Sequence, residues 1–105
     1  MESRKKRALL ARIEGQLAMI TRDEGSSRLR WQRVKWALNT LQVLPRDANE
    51  SSYSAQLQRH LMMLAGEHKE NAARSLLVHR LTLARADCVI WQLYLRHGTA
   101  RVPGC

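Results

Sequence analysis

The sequence predicts an all-α protein, a three- or four-helix bundle with a long C-terminal helix, and three observations carry the prediction. Strand signals are missing: there is no alternating run of β-branched residues, no Asn-Gly or Asp-Gly hairpin and no Phe. Apolar residues recur at helical spacing through almost the whole chain. Serines, glycines and prolines fall where such stretches begin and end. The 105 residues leave room for one domain, which at this size buries roughly 60 to 70% of the surface its unfolded form exposes.

Ser3 is placed to cap a first helix running to about Arg22, and Gly25 with Ser26 and Ser27 supplies a stop followed by new caps. Leu10, Ile13, Leu17 and Ile20 make its core stripe. On the nearly opposite side Ala8, Ala11, Gly15 and Ala18 form a face of small residues, read either as good helix formers or as the seat of a second neighbouring helix. The second helix runs to Leu44, where Pro45 and the polar RDANESS segment end it. Trp31, Val34, Leu38 and Leu41 are its expected inward stripe, and Leu29, Trp36 and Val43 a second face that meets either another helix or a foreign surface. Asn49, Ser51 or Ser52 caps a third helix through about Ala65. Gly66 is expected as a kink or short turn, after which helical spacing resumes to His97 and Gly98 closes it. Leu77, Leu81, Ala84, Cys88, Trp91 and Leu95 line the last helix, broadened by Leu76, Leu83, Ile90 and Leu93. So many apolar faces in so short a chain predict a homodimer or an obligate partner. The basic end 1–7 and the tail 98–105 are expected to be flexible.

The net charge is +9 and unevenly spread: residues 1–35 hold ten Lys/Arg against four acids, residues 36–70 three against four, and residues 71–105 five against one. That balance favours a polyanion or an acidic protein surface as partner. Arg4, Lys5, Lys6 and Arg7 occupy a helix start, where the macrodipole disfavours cations, so a phosphate-contacting end or a basic arm accounts for them better than helix stability does. Gln32, Arg33, Asn39 and Thr40 lie around the Trp36 face while Arg28, Arg30 and Lys35 border the two stripes, a mix of an aromatic with Arg, Gln and Asn that single-stranded nucleic-acid platforms and protein hot spots both use. In an antiparallel hairpin the two groups lie about 30 Å apart, which implies two patches or a track. Arg74, Arg85 and Arg96, spaced by eleven, line one edge of the last helix, and Asp87 is expected to pair with an arginine.

No chemistry-bearing motif appears. The four histidines show no His-x-x-x-His pair, the two cysteines are far apart, no serine sits in a nucleophile elbow, and no glycine-rich phosphate loop exists. The expectation is a non-enzymatic protein with no catalytic residue, no metal and no cofactor. No apolar run approaches the roughly 20 residues of a membrane span, and two cysteines suggest no disulfide framework, so a cytoplasmic setting is expected.

Arg12 to Leu17, RIEGQL, resembles the first-helix signature of the small all-helical CsoR-type repressors, oligomers that bind DNA and sense copper or related signals. In that family a cysteine near the start of the second helix and a later His-x-x-x-Cys pair hold the metal. Arg28 to Lys35 contains no cysteine here, and Ala84 stands four residues before Cys88, so the resemblance covers six residues and brings no sensing site. The sequence as a whole points to a nucleic-acid-binding regulatory or accessory factor. The alternative is a helical interaction module, an adaptor, inhibitor or secretion-type chaperone, whose partner supplies the acidic or amphipathic surface.

Overall fold

The computed structural model describes residues 3–22, 26–69 and 72–97. Four helices account for nearly all of them: α1 Ser3–Arg22, α2 Ser27–Val43, α3 Ser51–Lys69, entered through a 3-10 turn at Ala48–Glu50, and α4 Arg74–His97. No strand occurs among the described residues. The expected stops at Gly25 and Gly98, and the tail, lie outside them.

Short links make consecutive helices antiparallel, and cross-helix bonds fix the directions. Arg30 at the start of α2 reaches His68 at the end of α3. Glu67 near the end of α3 meets Arg80 near the start of α4. Ser3 opens α1, and its hydroxyl donates to the Leu95 carbonyl at the end of α4, 3.2 Å away; it is thus a strut between chain ends as well as the start of a helix. α1 packs on α4 and α2, and α3 packs on the same two helices from the other side.

One continuous cluster of buried side chains draws on all four helices. The α1 stripe is buried as read, Leu10, Ile13, Leu17 and Ile20, and so is the α4 stripe from Leu77 through Leu81, Ala84 and Cys88 to Trp91, with Leu95 at its end only half-buried. Leu57, Leu61 and Leu64 complete the core from α3. Burial pushes the Cys88 thiol up to about 12, with Asp87 and Glu14 adding to the effect, so it stays a neutral, small apolar group.

Three expectations are corrected. The stripe that α2 buries is Val34, Ala37 and Leu41, rotated by about 45° from the expected one at 100° per residue. Ala37 presents almost no bulk, so α2 settles with its two tryptophans straddling the buried line, and both are half-buried against the core. Gly66 does not break the chain: α3 runs through it to Lys69, because one glycine costs only about 1 kcal/mol in a helix and the Leu57–Leu61–Leu64 stripe holds the segment down. The break falls just after, where the Ala72 N–H donates to the Glu67 carbonyl at 2.9 Å. Finally, Ser3–Arg7 are not a loose arm but the first turns of α1, anchored by Lys6, whose Nζ donates to both carboxylate oxygens of Glu50 at 2.9 and 3.1 Å with both side chains almost wholly enclosed.

The small face of α1 is open. Ala8 and Ala11 are exposed, Ala18 is half-buried, and a methyl added at Gly15 meets nothing within 4 Å. No helix of this chain uses it as a seat.

Candidate functional site

Ser26 starts α2 in the expected way, its hydroxyl accepting from the Leu29 N–H at 3.1 Å. From that cap, helical geometry turns Leu29, Gln32, Arg33 and Trp36 toward α1. There they meet Arg12 and Gln16 across a groove of about 310 Å³. The Arg12 guanidinium sits 5.9 Å from the centre of the Trp36 ring, within cation–π range. Arg33 Nη1 donates to Gln16 Oε1 at 2.6 Å and lies 3.4 Å from the Met19 sulfur, while its Nε is buried with no hydrogen-bond partner.

The other tryptophan serves the opposite seam. Trp31 stacks on His68 of α3, ring centres 5.3 Å apart and planes within 3°. Lys35 and Lys69 each place an ammonium 5.9 Å from its ring. The His68 Nδ1 accepts from Arg30 Nε at 3.1 Å. Burial first, and the Arg30 charge second, hold His68 below its ordinary pKa, which keeps the ring neutral and fit to accept that bond.

Of the residues expected to bind a partner, Arg33 and Trp36 come together in the α1–α2 groove, with Arg28 and Lys35 exposed on the same helix. Arg30 is turned to the α2–α3 seam. Arg4 and Lys5 are exposed at the far end of α1, and Arg7 is half-buried against α4. Lys6 is a correction: sealed in its ion pair with Glu50, it cannot meet a phosphate. Gln32 falls, as the spacing of α2 places it, on the same face as Leu29 and Trp36, whereas Arg12 and Gln16 were not singled out by the sequence. The signal was the tight link between α1 and α2, which sets an antiparallel register placing position 16 beside 33 and position 12 beside 36.

The electrostatics are lopsided. Glu14 is paired with Arg85 at 3.0 Å, Glu67 with Arg80 at 2.6 Å, Asp87 with His60, and Glu50 with Lys6. Asp87 thus takes a histidine as partner where an arginine was expected. Three of these pairs join α4 to its neighbours and the fourth ties α1 to the turn before α3. Asp47 is the remaining described carboxylate, while α2 carries three arginines, one lysine and no acid at all. Among the described residues the α1–α2 groove therefore holds two guanidiniums, a tryptophan edge and two amides, with no carboxylate lining it.

The expected arginine edge of α4 resolves into a ladder against α1. Arg74 Nη2 donates to the Thr21 carbonyl at 2.9 Å, and Arg85 Nε to Glu14 at 3.0 Å. Arg96 and Arg7 both line a cavity further along the same seam. Between α3 and α4 a second cavity holds the His60–Asp87 pair with Ser52, Tyr53 and Gln56. Eight helical residues separate Ser52 from His60, about 12 Å along the axis, too far for a serine–histidine couple.

No family model, curated protein or solved structure matches the chain.

Proposed function

We propose that this protein is a small, non-enzymatic nucleic-acid-binding factor whose contact face is the α1–α2 side of a four-helix bundle. The observation that carries the reading is the separation of charge: among the described residues four of the five carboxylates are committed to the seams of α4 and to Lys6, and α2 carries cations alone. Arg28, Lys35 and Arg12 neutralise phosphates, Arg33 spans the groove, and Trp36 offers its ring to a base or sugar. Phosphate contact by these groups releases counterions, so binding falls steeply with salt.

Titration of labelled single- and double-stranded 20-mers across a salt series tests the reading. Binding at low salt that weakens with a log–log slope of several units is expected, and Arg12→Ala, Arg28→Ala and Lys35→Ala should each lower that slope by about 0.7 to 0.9. Trp36→Ala should weaken single-strand binding by about 1 to 3 kcal/mol if a base stacks on the ring. No affinity for either probe at low salt refutes the proposal.

A specific feature favours a second reading, a helical interaction module that is a homodimer or has an acidic or amphipathic protein partner. Val89, Ile90 and Leu93 are 45, 51 and 46% exposed on the outward face of α4, a strip that association would cover. Partner binding through it should persist in high salt, where the nucleic-acid reading requires loss.

A further inference from the structure

Along the α1–α4 seam Arg74 finds a carbonyl and Arg85 a carboxylate on α1. Arg96, about three turns beyond Arg85, shares a cavity of about 250 Å³ with Arg7, Val89, Gln92 and Leu93. Arg7 Nε is buried without a hydrogen-bond partner, and no described carboxylate lines the cavity.

Two guanidiniums sharing one cavity repel each other, and a buried N–H with no acceptor forfeits the hydrogen bond it had in water. Lys6, one residue from Arg7, has its own carboxylate in Glu50. The geometry points to an external oxyanion as the missing partner of Arg7 and Arg96. Planar guanidinium forks match carboxylate and phosphate oxygens, and the Gln92 amide adds a neutral donor. The rest of the wall is aliphatic, Val89 and Leu93 both being nearly half exposed. That combination selects an oxyanion carried on an apolar stem over a bare inorganic ion. We assign the cavity as a binding site for a small amphiphilic carboxylate or phosphate, separate from the α1–α2 groove.

Calorimetric titration of the full chain with octanoate, octyl phosphate, octanol, acetate and inorganic phosphate tests the assignment, with all amphiphiles kept monomeric. One saturable site is expected for octanoate or octyl phosphate, the tighter of the two identifying the headgroup. Acetate and inorganic phosphate should bind at least tenfold more weakly, and octanol not measurably. Arg96 is exposed, so Arg96→Gln should keep the ligand-free melting temperature while weakening the preferred amphiphile at least tenfold; Arg28→Gln, at the start of α2 and outside the cavity lining, should leave that affinity unchanged. Arg7→Leu should abolish binding without lowering the ligand-free melting temperature, which a merely structural arginine would lower. The assignment is overturned by equal affinity for inorganic phosphate, by octanol binding as well as octanoate, or by indifference to Arg96→Gln.

Discussion

Replacing Lys6 by Met removes one half of a pair whose side chains are only 6 and 4% exposed. Glu50 keeps its charge but loses its counter-ion, and water cannot replace the ammonium without opening the contact between α1 and the 3-10 turn. Breaking a buried pair from one side costs about 3 to 5 kcal/mol, against a total of about 5 to 15 kcal/mol for a domain of this kind. With about 4 to 8 °C lost per kcal/mol, the melting temperature should fall by roughly 12 to 40 °C. Urea unfolding gives the same quantity independently: at a slope of about 2 kcal/mol/M, the midpoint moves down by about 2 M. The double variant Lys6→Met with Glu50→Leu removes both charges and should return to within about 1 kcal/mol of the parent, or exceed it, since the desolvation of both ions disappears together. A single-variant loss below about 1 kcal/mol, the size of a solvent-exposed pair, would refute the argument. So would a double variant whose loss is the simple sum of the two singles, because that leaves no coupling between the groups.

Three further outcomes are expected. With Cys105 changed to Ser, the protein should not react with a thiol reagent at pH 8 until it unfolds, because the Cys88 thiol, at about 12, is neutral and enclosed; rapid labelling of the folded chain would contradict this. Gly66→Ala and Gly15→Ala should each stabilise by about 0.5 to 1 kcal/mol in chemical denaturation, since both glycines are helical and an added methyl meets no atom within 4 Å; a loss at Gly15 would mean that another chain packs on the small face. His68 has a folded-state pKa below its ordinary 6.5, so the folded chain binds fewer protons than the unfolded one. Its contribution is fully present above that value and is lost as pH falls through it toward the folded pKa. Melting temperature measured downward from pH 7 should therefore drop less steeply in His68→Gln than in the parent.

Long helices with high contrast between faces were legible from sequence. On α1 and α4, 20 and 24 residues long, every buried apolar stripe residue was identified by spacing alone, and only the charged Lys6 on the α1 line was missed, because repetition over several turns averages out single exceptions. On α2, with 17 residues, the contrast is poor: tryptophans weigh heavily in any apolar count, and the residue that faces inward at its middle is a lone alanine. The stripe was therefore drawn toward Trp31 and away from Ala37. Partners far apart along the chain were illegible, as Lys6 and Glu50 are separated by 44 positions and no spacing rule connects them. His60 and Asp87 lie between those extremes. Glu67 and Arg80 face each other near the α3–α4 link, and stepping seven residues outward on both helices lands on His60 and Asp87. Their pairing required the position of the link, which Gly66 disguised.

The three buried side-chain atoms that lack a hydrogen-bond partner, Nε of Arg7, Nε of Arg33 and Nε1 of Trp91, are all donors. Within the described residues the fold has spent its enclosed lone pairs and kept protons in hand. Such a molecule distinguishes solutes by basicity as well as by charge. Chloride screens it, whereas acetate, phosphate or sulfate can also complete a bond at the two guanidinium positions, and whatever occupies them stabilises the folded form in proportion to its saturation. Its melting temperature should accordingly depend on which anion supplies a given ionic strength, and be lower in chloride than in acetate, phosphate or sulfate at the same strength.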